Sequence, residues 1–184
     1  LNSLSFYFSG PMLLFLFSYS YWKRFSWLCH LFLGLAIGSS PLAVWVGLRG
    51  EVHLFPILLG LVLALWVAGF DIIYATQDYE FDKQHGLHSA VVYLGIKGAL
   101  YASLIFHLLM LATMWLLYIT YLTDIFWLIT TIITVITLLY IHFFNKNRSL
   151  DALNSSFFKA NALISILVFG ALLSYTYISN GEIL

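Results

Sequence analysis

Runs of apolar residues long enough to cross a membrane dominate this chain and leave it few other options. Six stretches qualify, within a few residues at each end: Leu4–Tyr21, Leu28–Leu48, Leu54–Ile73, Ala99–Thr120, Ile125–Ile141 and Phe157–Ile178. A spanning helix needs about 20 predominantly apolar residues, in a range of roughly 17 to 25. Open strands are excluded, because hydrocarbon offers no hydrogen-bond partner to an unpaired sheet edge. The expectation is an all-α membrane protein with about six transmembrane helices, a single domain over residues 1–184. Composition agrees: 62% of the residues are hydrophobic and 9% are charged, against roughly 25% charged in a soluble domain.

Charge then orients the bundle. Eight basic and eight acidic residues cancel, so there is no basic footprint for nucleic acid. Lys23 and Arg24 fall in the first connection, Lys83 and Lys97 in the third, and Lys146, Arg148 and Lys159 in or beside the fifth. Only Arg49 lies on the other side. The positive-inside rule makes the seven-residue side cytoplasmic, with loops at about residues 22–27, 74–98 and 142–156. Both ends then face outward. The chain opens Leu1-Asn2-Ser3 without methionine or signal-peptide pattern, so upstream helices are expected to be missing. The lone cysteine, Cys29, excludes an internal disulfide and a cysteine metal cluster.

The segment Asp71-Ile-Ile-Tyr74-Ala75-Thr-Gln-Asp78-Tyr-Glu80-Phe-Asp82-Lys83 carries four acids at the end of an apolar run. Ionised carboxylates at membrane depth are costly and usually functional. Asp71, Asp78 and Asp82 are seven and four residues apart, so a continuous α-helix stacks them on one stripe. Tyr74 shares that stripe and Glu80 faces away. Stacked carboxylates require a positive partner. Hard oxygen ligands suit magnesium or calcium, and magnesium is bound by a few carboxylates plus substrate phosphates. The plainer alternative is a solvated helix end with acids paired to Lys83 and Lys97. A second constellation, Tyr19-Ser-Tyr-Trp-Lys23-Arg24-Phe25, places Tyr19 and Lys23 on one helical face. Lysine and arginine suit a phosphate or carboxylate, although such a pair after a span also serves topology. Together the two constellations suggest a diphosphate held at the mouth of a bundle, with its lipid tail between the helices.

The segment Asp71–Ser89 resembles the second aspartate-rich motif of the UbiA superfamily of membrane-embedded aromatic prenyltransferases, through Asp71, Tyr74, Ala75, Asp78, Glu80, Asp82, Gly86 and Ser89. The stretch from Tyr19 through Lys23 and Arg24 to His30 is similar to the 4-hydroxybenzoate polyprenyltransferase branch, as is Asn154…Phe157-Phe158…Asn161. The resemblance implies a nine-helix bundle of which this chain is the C-terminal two-thirds. The first aspartate-rich motif has no counterpart, so the chain alone is expected to lack half the metal site and to be inactive. It further implies Mg2+-dependent transfer of a polyprenyl group from an allylic diphosphate to an aromatic acid such as 4-hydroxybenzoate, in quinone biosynthesis. The site would face the cytoplasm of a bacterial inner membrane. Asp71, Asp78, Asp82 and Lys23 are the expected catalytic residues, the three aspartates also the metal ligands, with Asp78 and Asp82 nearest the ion and Asp71 in a second layer or on the acceptor side. Tyr19, Lys23, Arg24, Tyr74 and Asn161 are the expected substrate contacts, Arg24 gripping the acceptor's carboxylate.

Smaller signals are assigned more plainly. Gly86 suits a helix C-terminal turn and Ser89 the cap of the following helix, within a loop able to close over the site. Asn154, Asn161 and Ser165 share a face suited to interhelical hydrogen bonds. His30, His107 and His142 are read as structural, and His85 and His88 flank the loop. The rival functions are another acceptor (naphthoate or homogentisate), a CDP-alcohol phosphotransferase, whose Asp-Gly and Ala-Arg pattern is absent, and a transporter or membrane subunit.

Overall fold

The computed structural model describes residues 2–144 and 150–178. Among them the regular structure is helical throughout: α1 (Ser3–Ser18), α2 (Cys29–Gly38), α3 (Ser40–Arg49), α4 (Leu54–Tyr74), α5 (Tyr79–Gln84), α6 (Ala90–Thr120), α7 (Ile125–Leu139) and α8 (Leu150–Ile178). Lys146 and Arg148, and the side chain of Asn154, lie outside the described residues.

Five helical segments are long and apolar enough to cross a membrane: Cys29–Arg49, Leu54–Gln84, Ala90–Thr120, Ile125–Phe143 and Ser155–Ile178. The protein is an integral membrane protein. The expected span at Leu4–Tyr21 is corrected. It is helical, with 16 residues in α1, and is not among these five. The reason is local: from Tyr19 to Arg24 the chain tightens into a 3-10 helix. The second span is broken at Ser39, where Pro41 in the first turn of α3 lacks the N–H that would continue the ladder.

The chain divides into two compact units, Leu1–Met110 and Leu111–Leu184. In the first, α2 and α4 run antiparallel in very close contact. A Cβ added at Gly34 would strike the Ala64 carbonyl oxygen. One at Gly38 would lie 2.5 Å from the Gly60 carbonyl oxygen and 2.7 Å from the Ala64 Cβ. Small residues four apart on both helices thus let the backbones meet, the usual device where lipid removes any hydrophobic drive for association. Beyond this crossing, Ile72 and Ala75 bury with Ala90, Val91 and Ala99 of α6, flanked by Trp27, Tyr79, Ala102 and Phe106. Gly95 has φ +69° and kinks α6 in its second turn. An apolar cleft of about 470 Å³ opens between α1 and α3, lined in part by Phe8, Met12, Phe15, Leu42, Val46 and Val52.

In the second unit, α7 lies against α8. Trp127 Nε1 donates to the Met114 carbonyl at 3.1 Å, and the Thr130 hydroxyl donates to the Leu167 carbonyl at 3.4 Å. Thr131 and Thr134 donate back to carbonyls four residues earlier, which satisfies their hydroxyls inside an apolar environment.

Candidate active site

All but one of the expected site residues belong to the first unit, and the fold sorts them into two groups. The Lys23 ammonium lies 2.8 Å from Asp82 Oδ1 and 3.9 Å from Asp78 Oδ2. The Asp82 side chain is fully buried, whereas Asp78 is exposed and Lys23 about one-third exposed. A buried carboxylate is tolerated only when paired, and Lys23 is that partner. It answers the need for positive charge, rather than Lys83, whose ammonium lies over the Tyr79 ring at 5.7 Å.

Two local features hold this pair. The 3-10 helix Tyr19–Arg24 carries Lys23, and its carbonyl accepts the His88 backbone N–H at 2.7 Å. On the opposite side, α5 ends in a Schellman turn: the Leu87 N–H donates to the Asp82 carbonyl and the Gly86 N–H to the Lys83 carbonyl, with Gly86 at φ +64°. Gly86 therefore takes the expected role. Ser89 does not take its own, since its buried hydroxyl has no hydrogen-bond partner among the described residues.

The third aspartate stands apart. Asp71, in the last turn of α4, meets His30 Nδ1 of α2 at 2.6 Å through Oδ2. His30 Nε2 in turn accepts the Ala90 backbone N–H at 3.2 Å. So His30, assigned no role beyond structure from the sequence, both partners Asp71 and caps α6. The expected single stripe is interrupted by the 3-10 turn Ala75–Asp78 between α4 and α5. Among the described residues, no three of His, Cys, Asp and Glu come together as a metal-binding group.

The other expected contacts are dispersed. The 3-10 geometry places residues three apart in register rather than four, so Tyr19 and Lys23 do not share the face expected of an α-helix. Arg24 is exposed, its guanidinium 5.7 Å over the Tyr21 ring. Tyr74 is half exposed, with its ring near Phe70. Asn161 lies on α8 in the second unit, its carbonyl accepting the Ser165 hydroxyl. His85 Nδ1 donates to the Phe81 carbonyl at 2.8 Å, and its ring stacks on that of Phe81.

A signal for His30 did exist in the sequence. Gly34-x-x-x-Gly38 begins one turn after it, and Gly60, Ala64 and Ala68 end just before Asp71. An antiparallel small-residue crossing of those two runs places His30 beside the acid.

The donor chemistry fits magnesium at one place. Asp78 and Asp82 direct hard oxygens to a common cation, and the buried Asp82 Oδ2 has no hydrogen-bond partner among the described residues. A two-carboxylate set completed by substrate phosphates is ordinary for magnesium. Asp71 stands apart from that pair, its Oδ2 meeting His30 Nδ1.

Comparison with known proteins converges on one family. Residues 1–177 match the UbiA prenyltransferase family. The chain is 35% identical over 98 residues to the mitochondrial 4-hydroxybenzoate polyprenyltransferase of Arabidopsis thaliana, covering 52% of this chain and 24% of that one. It is 29% identical over 113 residues to the 4-hydroxybenzoate octaprenyltransferase of Psychrobacter arcticus, covering 60% and 37%. A polyprenyl transferase of Aspergillus niger is 39% identical over 79 residues, covering 42% and 24%. The apo structure of a UbiA homolog from Aeropyrum pernix K1 superposes with a TM-score of 0.78 at 28% identity, over 95% of this chain and 65% of that one. The chain thus spans well under half the length of these curated relatives.

Proposed function

This chain belongs to the UbiA prenyltransferase family, and on that premise we propose that it transfers a polyprenyl group from an allylic diphosphate to an aromatic acid such as 4-hydroxybenzoate. The observation that carries this reading is the Lys23–Asp82–Asp78 group at the end of a membrane-spanning helix. It offers a diphosphate both a cation and two carboxylates suited to a bridging metal.

Asp78 and Asp82 would hold Mg2+, which when bound supplies Lewis-acid charge to the leaving diphosphate. Lys23 is within reach of both carboxylates and adds its own charge where negative charge develops. The prenyl tail lies in apolar surroundings such as the cleft between α1 and α3. Phe15 lines that cleft, its ring 6.2 Å from Phe32, which stacks on Trp22 beside Lys23. Aromatic faces near a developing allylic cation favour it electrostatically. The ring carbon of the acceptor then attacks. The product is a step in quinone biosynthesis, and the site faces the cytoplasm of a bacterial inner membrane, the side that the basic loops mark.

The test is transfer of a radiolabelled prenyl group from its diphosphate to 4-hydroxybenzoate in membranes containing the protein, with and without magnesium. Magnesium-dependent product supports the reading. Transfer only to a naphthoate or homogentisate corrects the acceptor. Absence of transfer to any aromatic acid, from folded protein, overturns it.

A further inference from the structure

We infer that His30 is a positioning residue: as its Nδ1–H tautomer it fixes Asp71 Oδ2 and leaves Oδ1 as a set acceptor for a hydroxyl of the aromatic substrate. The substrate half of this inference rests on the function proposed above; the tautomer does not.

The proton is located by two contacts. The Ala90 N–H is the first of α6, one of the donors that a helix start leaves without an intrahelical partner. It points at His30 Nε2 from 3.2 Å, so Nε2 carries a lone pair. A neutral imidazole has one donor and one acceptor nitrogen. The hydrogen must therefore sit on Nδ1, and the 2.6 Å contact to Asp71 is a donation to a carboxylate. The opposite tautomer, with its hydrogen on Nε2, would put a donor against the Ala90 N–H and lose both bonds.

Packing keeps the ring where it is. His30 is 3% exposed. It sits one turn before Gly34, where α2 and α4 are in backbone contact. Asp71, by contrast, keeps a third of its side chain exposed. One carboxylate oxygen is engaged by the protein, and the group as a whole remains open to a ligand.

The two acids of the site consequently differ in chemistry. Asp82 faces the Lys23 ammonium and is shielded; Asp71 meets an imidazole N–H and keeps a third of its side chain open. A carboxylate oxygen left open to the outside suits a hydrogen-bond donor such as a phenolic hydroxyl. It does not suit a diphosphate, which is itself anionic. His30 thus serves the aromatic partner, and Lys23 serves the diphosphate.

Two measurements test this. Protein carrying 15N-labelled histidine in detergent micelles reports the ring nitrogens, with His30→Gln identifying the resonance. A protonated Nδ1 and an unprotonated Nε2 are expected. An imidazolium, or the opposite tautomer, overturns the assignment. In the transfer assay, His30→Ala raises KM for the aromatic acid about ten-fold and leaves KM for the prenyl diphosphate unchanged. His30→Asn, which keeps an amide N–H near the Nδ1 position, recovers most of that loss. A fall in kcat with both KM values unchanged, or no recovery by asparagine, assigns His30 to packing alone. If the wild type transfers to no aromatic acid, the proposed function fails and the substrate half falls with it, while the resonance assignment still decides the His30–Asp71 link.

Discussion

Asp82 is completely buried, and the Lys23 ammonium 2.8 Å from its Oδ1 is the charge that makes that burial tolerable. The two residues are 59 positions apart in sequence, so the pair also ties the turn after α1 to α5.

Lys23→Met is expected to destabilise the protein by about 3 kcal/mol, the lower end for removing one partner of a buried pair, since Lys23 keeps some solvent. The double variant Lys23→Met/Asp82→Asn should recover part of the loss, because no uncompensated charge then remains. Unfolding in detergent by a chemical denaturant measures both. Equal stability of the single and double variants would contradict the pairing.

Asp82→Ala should lower prenyl transfer by about a hundred-fold or more, as removal of a preorganised electrostatic contact does. Asp78→Asn should lower it less, since that side chain is exposed. Chelating magnesium should abolish transfer by the wild type. The assay with a radiolabelled prenyl diphosphate reads all three, and an Asp82→Ala protein with normal transfer would remove the metal site.

Gly38→Leu should separate α2 from α4, because even a Cβ there meets the Gly60 carbonyl and the Ala64 side chain. Overpacking of this kind costs about 1–3 kcal/mol. The same shift would pull His30 away from Asp71, so transfer should fall along with the unfolding midpoint. An unchanged midpoint would show that the two helices have room that the structure denies them.

Gly86→Ala should cost about 1 kcal/mol, since a side chain is disfavoured in the left-handed conformation of this turn. Faster limited proteolysis within residues 84–89 is the expected signature. A cut rate equal to that of the wild type would mean that the turn is not under this constraint.

Most of the membrane architecture was legible because apolar length and helix are tightly linked in lipid. Two things escaped that logic. The length of α1 depends on where the chain leaves α geometry, and nothing between Ser18 and Tyr19 announces the change. The stripe of Asp71, Asp78 and Asp82 assumed an unbroken helix, and a single 3-10 turn was enough to divide it. Lys23 and the aspartates were readable as complementary charges; that Lys23 meets Asp82 and Asp78 but not Asp71 was not. His30 was read as structural, which its bonds to Asp71 and the Ala90 N–H fit, but its apolar sequence neighbours gave no sign of those partners. Its partner lies 41 residues away across a crossing that the spaced glycines encoded.

The His30–Ala90 contact also bears on the order in which the protein is built. A ribosome delivers α2 and α4 before α6, and domains generally form from the N-terminal side as synthesis proceeds. The acceptor for the first N–H of α6 lies on α2, which leaves the ribosome before it. The start of α6 is thus seated by a residue of α2, and a fault in the α2–α4 crossing would reach the first turn of α6.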